Sequence, residues 1–332
     1  MHNPQPNNSA HLLICTQNEQ NHWKTHIPNH SIYQPNITPE WRNNSWHQDL
    51  PETLLQDAYE IVPCLSFSSK SSWGYQCTLE YETECGYMGS CQLTPIGWDK
   101  PAQKIPDKKK FVEANIDVWT IKTKLRRAKV GWLVHGLTEI ESVPALFSLS
   151  LRRKITMSHP PPTRLSLEET VPAISQMSLR SEIKNRVCSP TCLSMLMKYH
   201  GITVDVYDVI AETYHSPTQL YGVWPANIRA ASLYGLCGYV SHIPNWRTAE
   251  NLIQKSYPFI ASIRYKDGEL TGAPIEETSG HLVIVRGCNQ KKILVNDPAS
   301  PTEKTVARSY CLEEFRRAWF NGSSVAYILF PQ

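Results

Sequence analysis

Three consecutive prolines, Pro160-Pro161-Pro162, separate two stretches of this 332-residue chain whose apolar residues recur with different periods. Proline holds φ near one value and carries no backbone N–H, so neither a helix interior nor a central strand runs through such a segment. Before it, over 66–151, Tyr75, Cys77, Leu79 and Tyr81 alternate onto one face, as do Trp132 and Val134, and then Phe147, Leu149 and Leu151. Alternation is the period of a half-buried strand, and Gly86, Gly89 and Pro95 punctuate the runs, which predicts a β-rich, sandwich-like module. After the prolines, Cys192, Leu193, Leu196 and Met197 stand at helical spacing, with Pro190 in the first turn and Gly201 at the stop, predicting a helix over 189–200. Further helices are expected over 206–214, 225–234, 249–256 and 312–319, and strands over 259–264, 281–286, 293–296 and 325–330. Helices first and antiparallel strands second describe an α+β half.

The length suits about two domains, each with its own core. The expected organisation is an irregular polar segment over 1–60, rich in Asn and His, a β-rich sandwich-like domain over 61–155, a Pro-rich linker over 156–170 and an α+β domain over 171–332. With 33 Lys+Arg against 30 Asp+Glu, the net charge of +3 is too small and too evenly spread for a nucleic-acid partner. The chain carries no membrane-spanning run, and Leu12-Leu13-Ile14-Cys15 is too short for a signal-peptide core, so a cytoplasmic protein is expected, with export by another route left open.

Ten cysteines leave disulfides, a metal site or a catalytic thiol open. Cys188, Cys192 and His200 are not completed into a zinc set by a second ligand pair at normal spacing, so no metal site is expected. Without a signal segment, Cys77, Cys85 and Cys91 read as free thiols.

Nucleophilic chemistry makes demands that three residues meet. Cysteine attacks as the thiolate, whose resting pKa of about 8.5 has to fall. Cys188 at the head of a helix gains the positive end of the dipole, and an imidazolium nearby would add more. His281 begins an apolar strand and Asp297 ends the next, so a hairpin turning at Cys288-Asn289-Gln290-Lys291 sets His281 level with Asp297 or with Pro298. Only an odd loop with a bulge puts His281 and Asp297 side by side on one face. Oxyanion stabilisation needs donors, for which the Cys188 N–H and the side-chain amide of Gln176 are available. Trp224 reads as core filler or as one wall of the cleft, and Trp224 and Gly280 are the candidates for substrate contact. His215 and His242 read as surface or loop histidines.

Five ordered blocks carry a resemblance: 171–176, then Val187-Cys188-Ser189-Pro190-Thr191, then Tyr221-Gly222-Val223-Trp224-Pro225, then 280–287, then Val295-Asn296-Asp297-Pro298-Ala299. Together they resemble the papain-like cysteine peptidases of the bacteriocin-processing, double-glycine-peptidase-like family in its stand-alone bacterial form. The resemblance implies a papain-like peptidase domain, with Cys188 as nucleophile, His281 as general base and acid, Asp297 as its orienter and Gln176 as oxyanion donor. It implies no cofactor and a peptide or protein substrate. Ser189 departs from the glycine usual after the nucleophile, and its side chain is expected to narrow the approach to the helix start.

The function expected is a cysteine peptidase or related amide hydrolase working through a thioester. Two alternatives stay open: acyl transfer by the same residues, and a catalytically inactive papain-like half whose β-rich partner binds a glycan or a protein surface. Trp73, Trp98, Trp119 and Trp132 are compatible with such a binding face, although aromatics of this kind usually fill a sandwich core.

Overall fold

The computed structural model describes residues 11–17, 23–28, 31–34, 44–55, 57–67, 69, 71–98, 107–108, 110–137, 144–153, 167–255, 257–289 and 291–332. The triple proline, with most of the expected linker, lies outside the described residues.

In chain order the first half comprises β1 (Leu12–Gln17), β2 (Ile32–Gln34), β3 (Ser45–Asp49), the short helix α1 (Glu52–Leu55), β4 (Ala58–Phe67), β5 (Gly74–Thr83), β6 (Met88–Gln92), β7 (Asp107–Lys108), β8 (Val112–Ala114), β9 (Trp119–Ile121), β10 (Leu125–His135) and β11 (Ala145–Arg153). One sheet runs β2-β1-β11-β4-β9-β8-β7 and the other β3-β10-β5-β6. The alternating residues do what their period predicts. Tyr75, Cys77, Leu79 and Tyr81 of β5, with Trp132 and Val134 of β10, meet Leu65, Phe67, Phe147, Leu149 and Leu151 of the facing sheet in one core. Trp73 and Trp119 are fully buried in the same core, and Trp98 stacks on His135 (ring centroids 4.7 Å apart), so three of the four tryptophans are core rather than a binding face.

The second half comprises β12 (Leu167–Glu168), α2 (Cys188–Tyr199), α3 (Val206–Thr213), α4 (Trp224–Leu233), β13 (Leu236–His242), α5 (Trp246–Gln254), β14 (Phe259–Tyr265), β15 (Thr278–Asn289), β16 (Lys292–Asn296), β17 (Ala307–Cys311), α6 (Leu312–Phe320) and β18 (Val325–Pro331). Its sheet runs β13-β18-β14-β15-β16-β17, antiparallel throughout, with β12 against β15. Leu193 and Leu196 seat α2 over Ile260, Leu282, Ile284 and Tyr327 of this sheet. The helix ends at Gly201 (φ 78°), where the N–H of Gly201 bonds Lys198 O and that of Ile202 bonds Met197 O, a left-handed stop that glycine adopts without Cβ strain.

Two expectations are corrected here. The segment over 1–60 is not irregular where it is described: β1 pairs antiparallel with β11 from Leu12 opposite Ser150 to Gln17 opposite Ala145, and its residues Leu12 to Thr16 are buried. Buried on both faces, β1 shows no alternation to read. Nor does each half keep a core to itself. The sheet containing β1, β4 and β11 turns its second face to the other half, where Val62 and Cys64 join the core under α2, and Leu12, Ile14 and Leu146 join the core that holds Tyr239 and Phe330. The small buried residues Ser148 and Ser150, between the large ones of β11, permit this approach, and the Ser150 hydroxyl accepts the His242 N–H at 2.7 Å.

Candidate active site

Cys188 is the first residue of α2 and is half-buried. Val187 precedes it with no side-chain cap, so the first-turn N–H groups are not capped by a side chain of that residue. Burial by itself pushes the thiol pKa up. The hydrogen bond and positive charge of His281, with the N–H groups of Leu282 and Ser189, outweigh it and bring the Cys188 pKa below the ordinary cysteine value.

His281 lies on β15 opposite Ile263 of β14 and is buried. Its Nε2 donates to Asp297 Oδ1 at 2.8 Å, which leaves Nδ1 as the ring nitrogen for the thiol. Asp297 follows β16 and is fully buried; its carboxylate also accepts the Tyr310 hydroxyl (2.6 Å) and the Ala299 N–H (2.9 Å). Burial works against both charges. On His281 the Asp297 carboxylate and the thiolate overcome it and hold the imidazole protonated well above its usual range. On Asp297 the imidazolium, Tyr310 and Ala299 overcome it and hold the carboxyl below its usual range.

The hairpin reaches this geometry by a route that differs from the odd loop expected. Asn289 pairs with Lys292, leaving an even two-residue connection, and the register holds to Gly287 opposite Leu294. It then shifts by one, with Val285 opposite Val295 and Ile284 opposite Asn296, so Arg286 is the extra residue of a bulge on β15. Continued, the shifted register sets Asp297 opposite Val283, on the face that His281 also occupies two residues away. Without the shift Asp297 would stand opposite Ile284 and point to the other side.

Gln176 is buried, and its Nε2 donates to Lys184 O at 2.7 Å, which fixes the orientation of the amide; its Oε1 has no partner among the described residues. Its backbone N–H bonds Pro298 O, and neighbouring Ser175 bonds Ser300 O at the same loop. Gln176 is thereby strung between the loop after Asp297 and the stretch before Cys188, with a second N–H of the amide nitrogen uncommitted among the described residues.

A groove of about 560 Å³ passes Cys188, and both Trp224 and Gly280 line it. Trp224 also packs against the core under α2, so it serves as filler and as wall. Ser189 does not narrow the approach: its hydroxyl donates inward to Asn227 Oδ1 (2.9 Å), with Tyr327 OH at 3.2 Å, and the residue is fully buried. Cys192, one turn on, is buried with its thiol toward Leu282 O.

His215 and His242 are not surface residues. Both are buried and join the halves: His215 Nε2 lies 2.9 Å from Pro95 O, and His242 Nδ1 lies 3.0 Å from the Ser150 hydroxyl. Burial holds both imidazoles below their usual pKa, to about 3 for His242. Tyr310, which completes the shell of Asp297, escaped the sequence reading because its strand, Ala-Arg-Ser-Tyr-Cys, is polar and exposed along most of its length. All ten cysteines are free, and among the described residues no group of three or more His, Cys, Asp or Glu is placed to hold a metal ion.

A helix that presents a cysteine at its first turn against a histidine on an antiparallel sheet describes the class of papain-like cysteine peptidases, here α+β and preceded by a β-rich half. Residues 168–327 match the Peptidase_C39 like family. That match spans most of the C-terminal half and supports a cysteine peptidase at family level. No curated protein matches the chain. Similar solved structures include a double glycine motif protease from an AMS/PCAT transporter, in complex with the leader peptide: 21% identity, TM-score 0.37, over 51% of this chain and 97% of that one. A C39-like peptidase from Bacillus anthracis is 17% identical, with a TM-score of 0.39 over 50% of this chain and 98% of that one.

Proposed function

We propose that the chain hydrolyses peptide or closely related amide bonds with Cys188 as nucleophile, His281 as general acid and base, and Asp297 as the group that orients it. The observation that carries this reading is the hydrogen-bonded series from Cys188 through His281 to Asp297 beside an open groove. The Cys188 thiolate attacks the carbonyl carbon, and the negative charge that develops on its oxygen is met by the Cys188 N–H and the uncommitted N–H of Gln176. As the tetrahedral intermediate collapses, the C–N bond breaks and the His281 imidazolium gives its proton to the leaving amine. The thioester is then attacked by water, whose proton the now neutral imidazole takes, and Cys188 leaves as the thiolate. Trp224 and Gly280 border the bound segment.

Cys188→Ala is expected to abolish hydrolysis in a peptide library followed by mass spectrometry. Gln176→Ala, which removes one oxyanion donor, is expected to lower kcat by about 10²–10³. Full hydrolysis by the Cys188→Ala protein would end this account.

A further inference from the structure

The groove beside Cys188 has a wall that the peptidase half does not make. Glu60 of β4, Asn115, Val118 and Thr120 around β8 and β9, and Arg152 of β11 line it from the β-rich half. This wall is tied to the other half at two points. Asp117 Oδ2 accepts the Trp224 N–H at 3.0 Å, and Arg152 donates to Gly322 O at 2.7 Å while pairing with Glu60 at 3.2 Å.

The charges of the groove are unequally satisfied. Arg152 is paired with Glu60, whereas Arg186 and Arg264, which also line the groove, donate among the described residues to the carbonyls of Gln219 and Asn321. Neither has a carboxylate partner among the described residues. A second cavity of about 580 Å³ shares Arg264 and Ser279 with the groove and adds Lys266 and Arg317 against Glu269 and Glu277. Taken together as a trough, the two adjoining cavities are lined by more basic side chains than acidic ones. A trough of this kind suits an extended chain, whose side chains alternate to two sides at about 3.3 Å per residue, and its positive field favours carboxylates.

The geometry points to an extended, carboxylate-bearing peptide segment as the substrate class, held between the wall of the β-rich half and the arginines Arg186 and Arg264. The β-rich half is on this account the specificity wall of the peptidase. The inference rests on the reading of Cys188 as nucleophile given above.

The test uses the 332-residue chain and three peptidyl vinyl sulfones that differ at one position, Glu, Gln or Lys. The rate at which each forms an adduct on Cys188 is divided by the iodoacetamide rate of the same protein. At low ionic strength the Glu probe is expected to react about tenfold or more faster than the Lys probe, a margin that shrinks as salt screens the field. Arg264→Glu should invert the order. Thr120→Trp, with Asn115→Trp as a second substitution in the same wall, should slow all three probes about tenfold after division by the iodoacetamide rate, because the ring obstructs the trough. Equal rates for the three probes on the unaltered protein, or wall variants that label like it, would overturn the inference. If iodoacetamide does not single out Cys188 from the other nine cysteines, the nucleophile reading itself falls and takes this inference with it. That result appears before any peptidyl probe is compared.

Discussion

His281 stands between two anions, and the pH behaviour of the site follows from the sign of each interaction. Asp297 and the Cys188 thiolate both raise the histidine, and the resulting imidazolium lowers the thiol. In the proposed mechanism the active ion pair forms as pH rises through the depressed thiol pKa and is lost when His281 finally deprotonates, so a broad plateau lies between the two. Alkylation of Cys188 by iodoacetamide is therefore expected to show an inflection below the free-thiol value of about 8.5. In Asp297→Asn the inflection should move up, because the imidazolium loses its charged partner. Tyr310→Phe removes one of three donors to Asp297 and should move it the same way by less. An Asp297→Asn profile identical to that of the unaltered protein would show that the carboxylate does not act through His281. At this scale the residue types were legible in the sequence: a cysteine at a helix start, a histidine sixteen residues before an aspartate. Tyr310 and the amide orientation of Gln176 were not, since each is set by a backbone group or strand distant in the chain.

Among the elements, the bulge at Arg286 decides whether the histidine and the carboxylate share a face. Sequence alone offered a loop of odd or even length, and the structure places the single extra residue inside β15 instead. Periodicity fails there for a plain reason: a bulge is an exception to the period of two, and Gly287, the one local mark beside it, signals a break in the strand without saying which residue is extra. The head of α4 is another junction of elements. Val223 offers no side-chain cap, and the acceptor for the Trp224 N–H is Asp117 from the turn between β8 and β9. Removing it in Asp117→Ala should cost about 1 kcal/mol in urea denaturation, as the loss of a helix cap does. Burial pushes the Asp117 carboxyl up to about 6, against the Trp224 hydrogen bond that lowers it. Because this folded-state value exceeds the ordinary value of about 4, the folded state holds the proton more tightly. The group's contribution to stability thus falls as pH rises from about 4 to about 6. Asp117→Asn keeps the acceptor without the charge. It should be at least as stable as the unaltered protein at pH 8 and lose that advantage near pH 4; a variant weakened equally at both would contradict the sign.

In the molecule as a whole, the two halves are joined through shared cores rather than hung on a tether. Leu12, Ile14, Val62, Cys64 and Leu146 pack into clusters formed by the C-terminal half, and Val223 and Ala226 of α4 pack into the sandwich core. Residues 167–332 expressed alone would expose these faces to water, at about 25 cal/mol per Å² of apolar surface. That fragment is expected to bind a hydrophobic dye strongly and to unfold at a lower urea concentration than the full chain. A fragment as stable as the full chain, with no dye binding, would show that the shared cores contribute little. What the sequence determined by itself is whatever depends on neighbours along the chain: the alternation of β5 and β10, the five helices of the second half with the glycine stop of α2, and the identity of the residues able to do thiol chemistry. Tertiary structure alone decided the rest: β1 as a strand, the face that Asp297 occupies, the inward turn of Ser189, the burial of His215 and His242, and the wall that the β-rich half lends to the groove. The physical reason is common to all of these. Each depends on contacts between segments far apart in sequence, and a strand or side chain enclosed on every side keeps no periodic trace of which neighbour encloses it.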